Sequence, residues 1–143
     1  ISDFADPKDL AKNVESARVI SKELKMKVKI RPHINEDGVK NPEYLIDEKL
    51  ADLKNIQGLG GIKHGLDSSK KQQCEYTVFN LSAFDTVEPE MLKNKLNGIY
   101  KLYGEKYSGQ QMVFIYKRKA VKVSWQDVAD GKTIDLLKEL QEQ

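Results

Sequence analysis

The chain has 143 residues, of which 32% are charged and 39% hydrophobic, with 24 Lys and Arg against 22 Asp and Glu. This length is enough to bury one core and too short for a second full domain, so we expect one ordinary soluble domain. A net charge of +2 gives no overall attraction to nucleic acid, so any phosphate binding depends on local clusters of Lys and Arg. The single Cys74 excludes an internal disulfide and a thiolate metal cluster, and two histidines are too few for a three-histidine zinc site.

Two features of the sequence bear on membrane insertion and export. No stretch approaches the roughly 18 consecutive apolar residues of a membrane span, so we expect no membrane span in this segment. The first residues lack the basic start and apolar core of a signal peptide. The absence of an initiator Met favours a fragment of a longer polypeptide, and the alternative is a chain shortened by processing.

The hydrophobic pattern predicts alternating helices and strands. Apolar residues at steps of three and four predict a first helix over 8–24, for which Asp6-Pro7 supplies the N-cap and a first-turn proline. Strict alternation then predicts a strand over 26–31. The elements predicted after it are a loop at 32–42, a hairpin of strands 44–46 and 50–53, a mobile glycine loop at 58–65, a helix from about 67 to 74, an interior strand at 76–81, a helix over 88–102, a hairpin of strands 112–116 and 121–123, and a last helix at 134–140.

This order of elements predicts the fold class. We expect an α/β domain in which helices flank a mixed β-sheet, with one domain spanning 1–143. Its core, at about 8–82, has the order helix-strand-strand-strand-helix-strand. A C-terminal extension at about 87–143 adds a helix, a hairpin and a last helix.

The first hairpin concentrates residues that can do chemistry. Side chains two apart on a strand project from the same face, so Asp52 and Lys54 share one surface. If the chain turns near Asp47, Glu43 comes opposite Asp52, and two carboxylates and an ammonium surround one point. Two carboxylates can hold Mg²⁺, which lowers the pKa of a bound water, and a lysine can offset charge in the transition state. The pattern favours a phosphodiesterase site, and the alternative is a solvated cross-strand ion pair.

These residues resemble known nucleases. Pro42-Glu43, followed after eight residues by Asp52-Leu53-Lys54, resembles the core motif of the PD-(D/E)xK nuclease superfamily. Together with Glu15-Ser16-Ala17 and the segments 40–46 and 73–81, it resembles the C-terminal tRNA nuclease toxin domains of contact-dependent growth inhibition proteins. Related modules occur at the ends of phage head proteins and of other bacterial polymorphic toxins. The resemblance covers about 8–82, and Glu43 and Cys74 depart from the usual aspartate and small residue.

The resemblance implies a metal-dependent endonuclease that cleaves RNA, most of all tRNA, as an antibacterial toxin. The implied site has Glu15, Glu43, Asp52 and Lys54 as catalytic residues, Glu43 and Asp52 as ligands of a divalent metal, Mg²⁺, and Gln73, Lys70 and Lys71 as substrate-binding residues. From the residues alone, Glu15 is equally a surface glutamate and Gln73 equally a helix-surface amide.

The same resemblance implies partners and a place of action. It implies a monomeric, secreted or cell-surface toxin fragment that acts in the target cell's cytoplasm. Because an intracellular nuclease would harm its producer, we expect a cognate immunity protein. An acidic inhibitor would suit a basic footprint. The lysines expected in that footprint are Lys27, Lys29, Lys70, Lys71, Lys117 and Lys119, with Arg118 between the last two.

Two other functions fit the sequence. One is a compact, metal-independent ribonuclease of barnase type, with His33 or His64 as its acid-base group. The other is a non-catalytic phage or mobile-element accessory domain whose carboxylates form structural ion pairs. Aromatic side chains that either stack on bases or pack in the core are Tyr100, Tyr103, Tyr107 and Trp125.

Overall fold

A computed structural model describes residues 7–31 and 44–141. Its helices are α1 (Pro7–Leu24), α2 (Gly61–Lys71), α3 (Pro89–Tyr103), α4 (Trp125–Ala129) and α5 (Thr133–Lys138), the last followed by a 3₁₀ turn, Glu139–Gln141. Its strands are β1 (Val28–Ile30), β2 (Tyr44–Ile46), β3 (Lys49–Asn55), β4 (Tyr76–Asn80), β5 (Gln111–Tyr116) and β6 (Lys119–Ser124). The predicted loop at 32–42 and the Asp6 cap lie outside the described residues.

The six strands form one mixed sheet in the order β1-β2-β3-β4-β5-β6. The pairs β3–β4 and β4–β5 are parallel, and the other three pairs are antiparallel. Parallel neighbours need a crossover, and α2 and α3 supply the two crossovers. The predicted α/β class, with helices flanking a mixed sheet, is confirmed.

The sheet separates two apolar cores. On one face, α1 buries Ala17, Val19 and Ile20 against the odd-numbered side chains of β3, Ala51 and Leu53. On the opposite face, the helices that follow β3 cover a larger core. That core includes Ile62, Leu66, Phe79, Leu92, Leu96, Tyr107, Phe114, Trp125 and Leu137. Since alternate side chains of a strand point to opposite faces, the even-numbered residues of β3 face this second layer of helices.

The β2–β3 hairpin is confirmed and has a two-residue turn. Tyr44 pairs with Ala51 and Ile46 pairs with Lys49. Asp47 and Glu48 both have positive φ, 48° and 71°, as a turn that matches the right-handed twist of its strands requires. The Asp47 carboxylate accepts a hydrogen bond from the Lys27 backbone N–H at 2.9 Å, and the Asp47 N–H donates to the Lys27 carbonyl at 2.8 Å. These bonds offset the strain of a left-handed aspartate.

The prediction of a mobile glycine loop at 58–65 was wrong in its second half, because α2 already begins at Gly61. The glycines there allow close packing. A Cβ on Gly65 would lie 2.5 Å from Phe79 Cε1 and 3.2 Å from Lys54 Cγ, and a Cβ on Gly61 would lie 2.7 Å from Ile56 Cγ2. The missing side chains therefore let α2 lie directly on the sheet.

Other predictions differ at the ends of elements. The short α4 was not predicted, although Ser124 and Asp127 form a capping box at its start. Alternation over 26–31 predicts that Ile30 lies on the buried face of that strand, but Ile30 is 40% exposed on β1, which is an edge strand. Within 7–31 and 44–141, we find no helix with the length and apolar character to cross a membrane.

Candidate active site beneath helix α2

Strand β3 brings Asp52 and Lys54 together on the face that α2 covers. Lys54 Nζ lies 3.2 Å from Asp52 Oδ2. The Asp52 side chain is 3% exposed and the Lys54 side chain 34% exposed, so the carboxylate is buried while the amine reaches solvent. The predicted pairing of an acid and an amine on one surface is present.

Helix α2 supplies two further partners for Asp52. Ser68 Oγ and Gln72 Nε2 each donate to Asp52 Oδ2 at 3.1 Å, and Gln72 Nε2 also lies 3.1 Å from Ser68 Oγ. Ser68 and Gln72 are four residues apart and so occupy one side of the helix. A buried carboxylate is costly unless it is paired and hydrogen-bonded, and these donors provide that compensation. The carboxylate is thereby held in one place.

Polar contacts continue next to this cluster. Ser69 and Thr77 are fully buried, and Thr77 Oγ1 donates to Ser69 Oγ at 2.7 Å. Thr77 pairs with Asp52 across β3 and β4. A row of polar side chains therefore lies under α2 within an otherwise apolar layer. The sequence analysis did not predict it.

Glu15 lies on the other side of the sheet from Asp52. It is an exposed residue of α1. With Ser16, Asn55, Asn80 and Lys117 it lines a cavity of about 370 Å³ at the carboxyl ends of β3 and β4. Since α1 packs on the Ala51 and Leu53 face, the structure does not bring Glu15 together with Asp52 and Lys54.

The predicted substrate-binding residues lie at the end of α2. Gln73 follows the helix with a positive φ of 60° and is exposed. Lys70 and Lys71 are exposed, and Lys70 Nζ donates to the Lys106 carbonyl at 2.6 Å. It is the preceding amide, Gln72, that contacts Asp52. The four-residue spacing of Ser68 and Gln72 was the signal for this contact, but the sequence analysis chose the neighbouring amide, Gln73.

A metal centre needs a second acidic ligand beside Asp52. Glu43 lies outside the described residues, although its neighbour Tyr44 pairs with Ala51, the residue before Asp52. Among residues 7–31 and 44–141, no three side chains of His, Cys, Asp and Glu are grouped to hold a metal ion. The Asp52 carboxylate itself is a hard oxygen ligand, the kind that Mg²⁺ prefers to a soft sulfur ligand.

The two histidines stand apart from this cluster. His64 is an exposed residue of α2. His33 lies outside the described residues.

A second carboxylate, Asp67 of α2, lies beside the connection between α3 and β5. It accepts a short hydrogen bond from the Tyr107 hydroxyl, and Lys63 Nζ and Lys106 Nζ lie 2.9 and 3.0 Å from its oxygens. Burial raises the pKa of Asp67, but the hydrogen bonds from Tyr107, Lys63 and Lys106 outweigh it and hold that pKa well below its ordinary value. The Tyr107 pKa is raised by burial and by its bond to Asp67.

The lysines expected to form one basic footprint lie on several surfaces. Lys29 is on β1, at one edge of the sheet, and pairs with Glu48 at 3.1 Å. Lys119 is on β6, at the opposite edge, and pairs with Glu23 at 3.5 Å. A single partner surface therefore cannot be drawn through this set, because the width of the sheet separates its members.

Comparison with known proteins adds a family and a fold. The model of a family described as the contact-dependent growth inhibition CdiA C-terminal domain matches residues 40–121. No curated protein matches the chain. A solved structure, titled as a CdiA-CT/CdiI toxin and immunity complex from Burkholderia pseudomallei, contains a similar chain. The TM-score is 0.58 at 17% sequence identity, over 85% of this chain and 90% of that chain, so the likeness concerns the fold.

Proposed function

The chain belongs to the family of CdiA C-terminal domains, the toxin domains of contact-dependent growth inhibition, and we propose that it is an endonuclease that cleaves RNA, most of all tRNA. The observation that carries the proposal is the Asp52–Lys54 pair: a buried, fixed carboxylate 3.2 Å from a solvent-reaching ammonium. The pair also matches the acid-x-lysine spacing of the PD-(D/E)xK nucleases.

Burial of Asp52 supports a functional role over an ordinary ion pair. Exposed ion pairs contribute about 0–1 kcal/mol, whereas burying a carboxylate carries a desolvation cost that an apolar residue would avoid. Asp52 nevertheless occupies a layer whose other strand residues include Phe79 and Phe114. A carboxylate retained there at a cost is consistent with use in chemistry.

Each polar group has a distinct part in the proposed reaction. Asp52 takes a proton from the attacking water, or positions that water, as its oxygen bonds to phosphorus and the P–O bond to the leaving nucleotide breaks. Lys54 offsets the charge that develops on the phosphoryl oxygens, and solvent protonates the leaving oxygen. Ser68 and Gln72 act through Asp52 as positioning residues. Glu15 lies on the opposite face, so the proposed reaction does not use it.

We further propose that Asp52 and Glu43 hold Mg²⁺. When bound, the ion would lower the pKa of a coordinated water and polarise the scissile phosphate. The hydroxyl and amide groups beside Asp52 fix the orientation of its carboxylate, as partners of metal ligands commonly do.

An immunity protein and a place of action complete the proposal. The similar solved chain comes from a toxin and immunity complex. We propose that this chain likewise has a cognate immunity protein. We also propose that it is delivered as a secreted or cell-surface toxin fragment and acts as a monomer in the target cell's cytoplasm.

Incubation of the purified domain with total tRNA, with Mg²⁺ or with EDTA, tests the activity. We expect discrete fragments with Mg²⁺ and none with EDTA. No discrete cleavage under any metal condition would overturn the proposal. Cleavage that resists EDTA, leaves 2′,3′-cyclic phosphate ends and requires His33 or His64 would instead establish a metal-independent ribonuclease.

A further inference from the structure

We infer that four solvent-accessible side chains bind single-stranded RNA: Tyr100 and Tyr103 of α3, Lys63 of α2 and Lys106 of the connection that follows α3. We call them the tyrosine-lysine strip. The inference rests on the proposed function for its substrate class, and it adds a binding surface separate from the Asp52 cluster.

The two tyrosines are exposed but firmly supported. Tyr100 and Tyr103 are each 37% exposed and lie three residues apart, on one side of α3. Tyr100 packs on buried Trp125, with ring centroids 5.5 Å apart, and Tyr103 packs on buried Tyr107 at 6.4 Å. Of the aromatic residues considered from the sequence, Tyr107 and Trp125 therefore belong to the core, while Tyr100 and Tyr103 present rings to solvent.

Two ammonium groups lie over the Tyr103 ring. Lys63 Nζ is 4.7 Å and Lys106 Nζ 5.6 Å from the centre of the Tyr103 ring. Asp67 holds both lysines in place through contacts of 2.9 and 3.0 Å. Lys70 lies nearby, with its Nζ bonded to the Lys106 carbonyl. Three lysines against Asp67 and the neighbouring Glu105 leave the local charge positive.

Proteins that bind single-stranded nucleic acid without sequence preference combine exposed aromatic rings with nearby cations. Bases stack on aromatic faces while cations contact the phosphates. Space for bases is present, because cavities of about 470 and 560 Å³ meet at Tyr100, Gly104 and Ser108. The ammonium groups over the Tyr103 ring favour an anionic occupant, and RNA supplies both the phosphates for the lysines and the bases for the exposed rings.

The strip is joined to the proposed catalytic cluster through one helix. Lys63 and Asp67 of α2 belong to the strip and its support, and the next residue, Ser68, donates to Asp52. A strand of RNA stacked on the tyrosines would therefore pass the side of α2. The strip would hold substrate that the Asp52 cluster cleaves.

The test measures binding of a probe that is not cleaved. A fluorescent 2′-O-methyl oligoadenylate in EDTA keeps bases and phosphates, and its affinity is measured by anisotropy. Tyr100→Leu and Tyr103→Leu should each weaken binding about tenfold, since stacking of one base contributes that much. Tyr103→Phe should bind like wild type because it keeps the ring. Leu102→Ala, at a 74% exposed position of the same helix, is the matched control and should change nothing.

Salt dependence gives a second, independent measurement. Lys63→Gln and Lys106→Gln should each reduce the slope of log affinity against log salt by about 0.7. Lys93→Gln removes a lysine that lies 3.0 Å from Glu90 on the far part of α3, and should leave the slope unchanged.

Several outcomes would overturn the inference. Absence of oligonucleotide binding by the wild type, or equal binding by the Tyr→Leu variants, would do so. If those variants instead lose affinity only for the cognate immunity protein, the strip is a protein interface. Failure of tRNA cleavage by the wild type would count against the proposed nuclease. The oligonucleotide measurement would still decide whether the tyrosine-lysine strip binds RNA.

Discussion

Asp52 and Asp67 lie close together in the fold, and each has three side-chain partners. The partners are Ser68, Gln72 and Lys54 for Asp52, and Tyr107, Lys63 and Lys106 for Asp67. Asp67 is 36% exposed in its side chain and mainly cross-links two cations and a phenol. Asp52 is 3% exposed and has one ammonium, which reaches solvent. The number of partners is therefore the same for Asp52, which we propose to be reactive, and for Asp67, which is structural. The two carboxylates differ in their burial and in the positive charge that compensates each of them.

The largest effect is expected from Asp52→Asn. Loss of the carboxylate should reduce single-turnover cleavage of tRNA by about 10²–10⁴-fold, the range for a group that moves a proton in the transition state. Asp67→Asn is the matched control: it should weaken tRNA binding by loosening Lys63 and Lys106, and leave the single-turnover rate at saturating protein close to the wild-type value. Equal losses in the two variants would show that both carboxylates act only on the fold.

Stability of Asp52→Asn must be measured on the same preparation. If Glu43 lies opposite Asp52, as the sequence predicts, Asp52→Asn relieves the repulsion between the two carboxylates. The structure, however, surrounds Asp52 with donors, and the variant leaves the Lys54 ammonium without its carboxylate. We therefore expect a loss of about 1–3 kcal/mol in the free energy of unfolding. Cleavage is compared at a temperature where the variant remains folded.

Lys54→Met should reduce cleavage by about 10²-fold, as loss of one donor to developing charge does. The matched control is Lys49→Met on the same strand, where Lys49 Nζ lies 3.5 Å from Glu75. Both variants remove a charge and keep most of the side-chain volume. A difference between their cleavage rates therefore reports the catalytic use of the Lys54 amine. A fully active Lys54→Met would remove the case for the Asp52 cluster.

Gln72→Met should have a smaller effect through positioning. We expect about tenfold slower cleavage, typical of residues that orient a ligand or base, with a loss of about 1–2 kcal/mol in unfolding free energy. Gln73→Ala tests the residue predicted from the sequence: a substrate contact would raise KM without changing stability. The urea midpoint and steady-state kinetics of both variants decide which amide serves the site.

The smallest expected effect concerns acid pH. Because the pKa of Asp67 is lowered in the folded state from 3.8, its stabilisation is present above pH 3.8 and is lost as the pH falls below it. Asp67 is more than a third exposed, so the effect is modest. The urea midpoint of the wild type should fall more steeply than that of Asp67→Asn between pH 4 and 2. Parallel profiles would contradict the bonding described for Asp67.

The sequence predicted what depends on local pattern. The period of α1, the β2–β3 hairpin and the shared face of Asp52 and Lys54 follow from spacing alone. The start of α2 was missed because Gly58 to Gly65 indicated a loop, whereas Gly65 is required by contact with Phe79, a residue distant in sequence. The placement of Glu15 across the sheet depends on which face α1 covers, and no local pattern specifies that choice.

The position of β4 has a consequence for fragments of this chain. Its backbone is bonded to β3 on one side and β5 on the other, and its Val78 and Phe79 are fully buried. A polypeptide cut after residue 82 would leave β4 as an apolar edge with a row of unpaired N–H and C=O groups, which is a template for aggregation. The segment that carries the nuclease-like motifs therefore depends on the C-terminal strands for solubility.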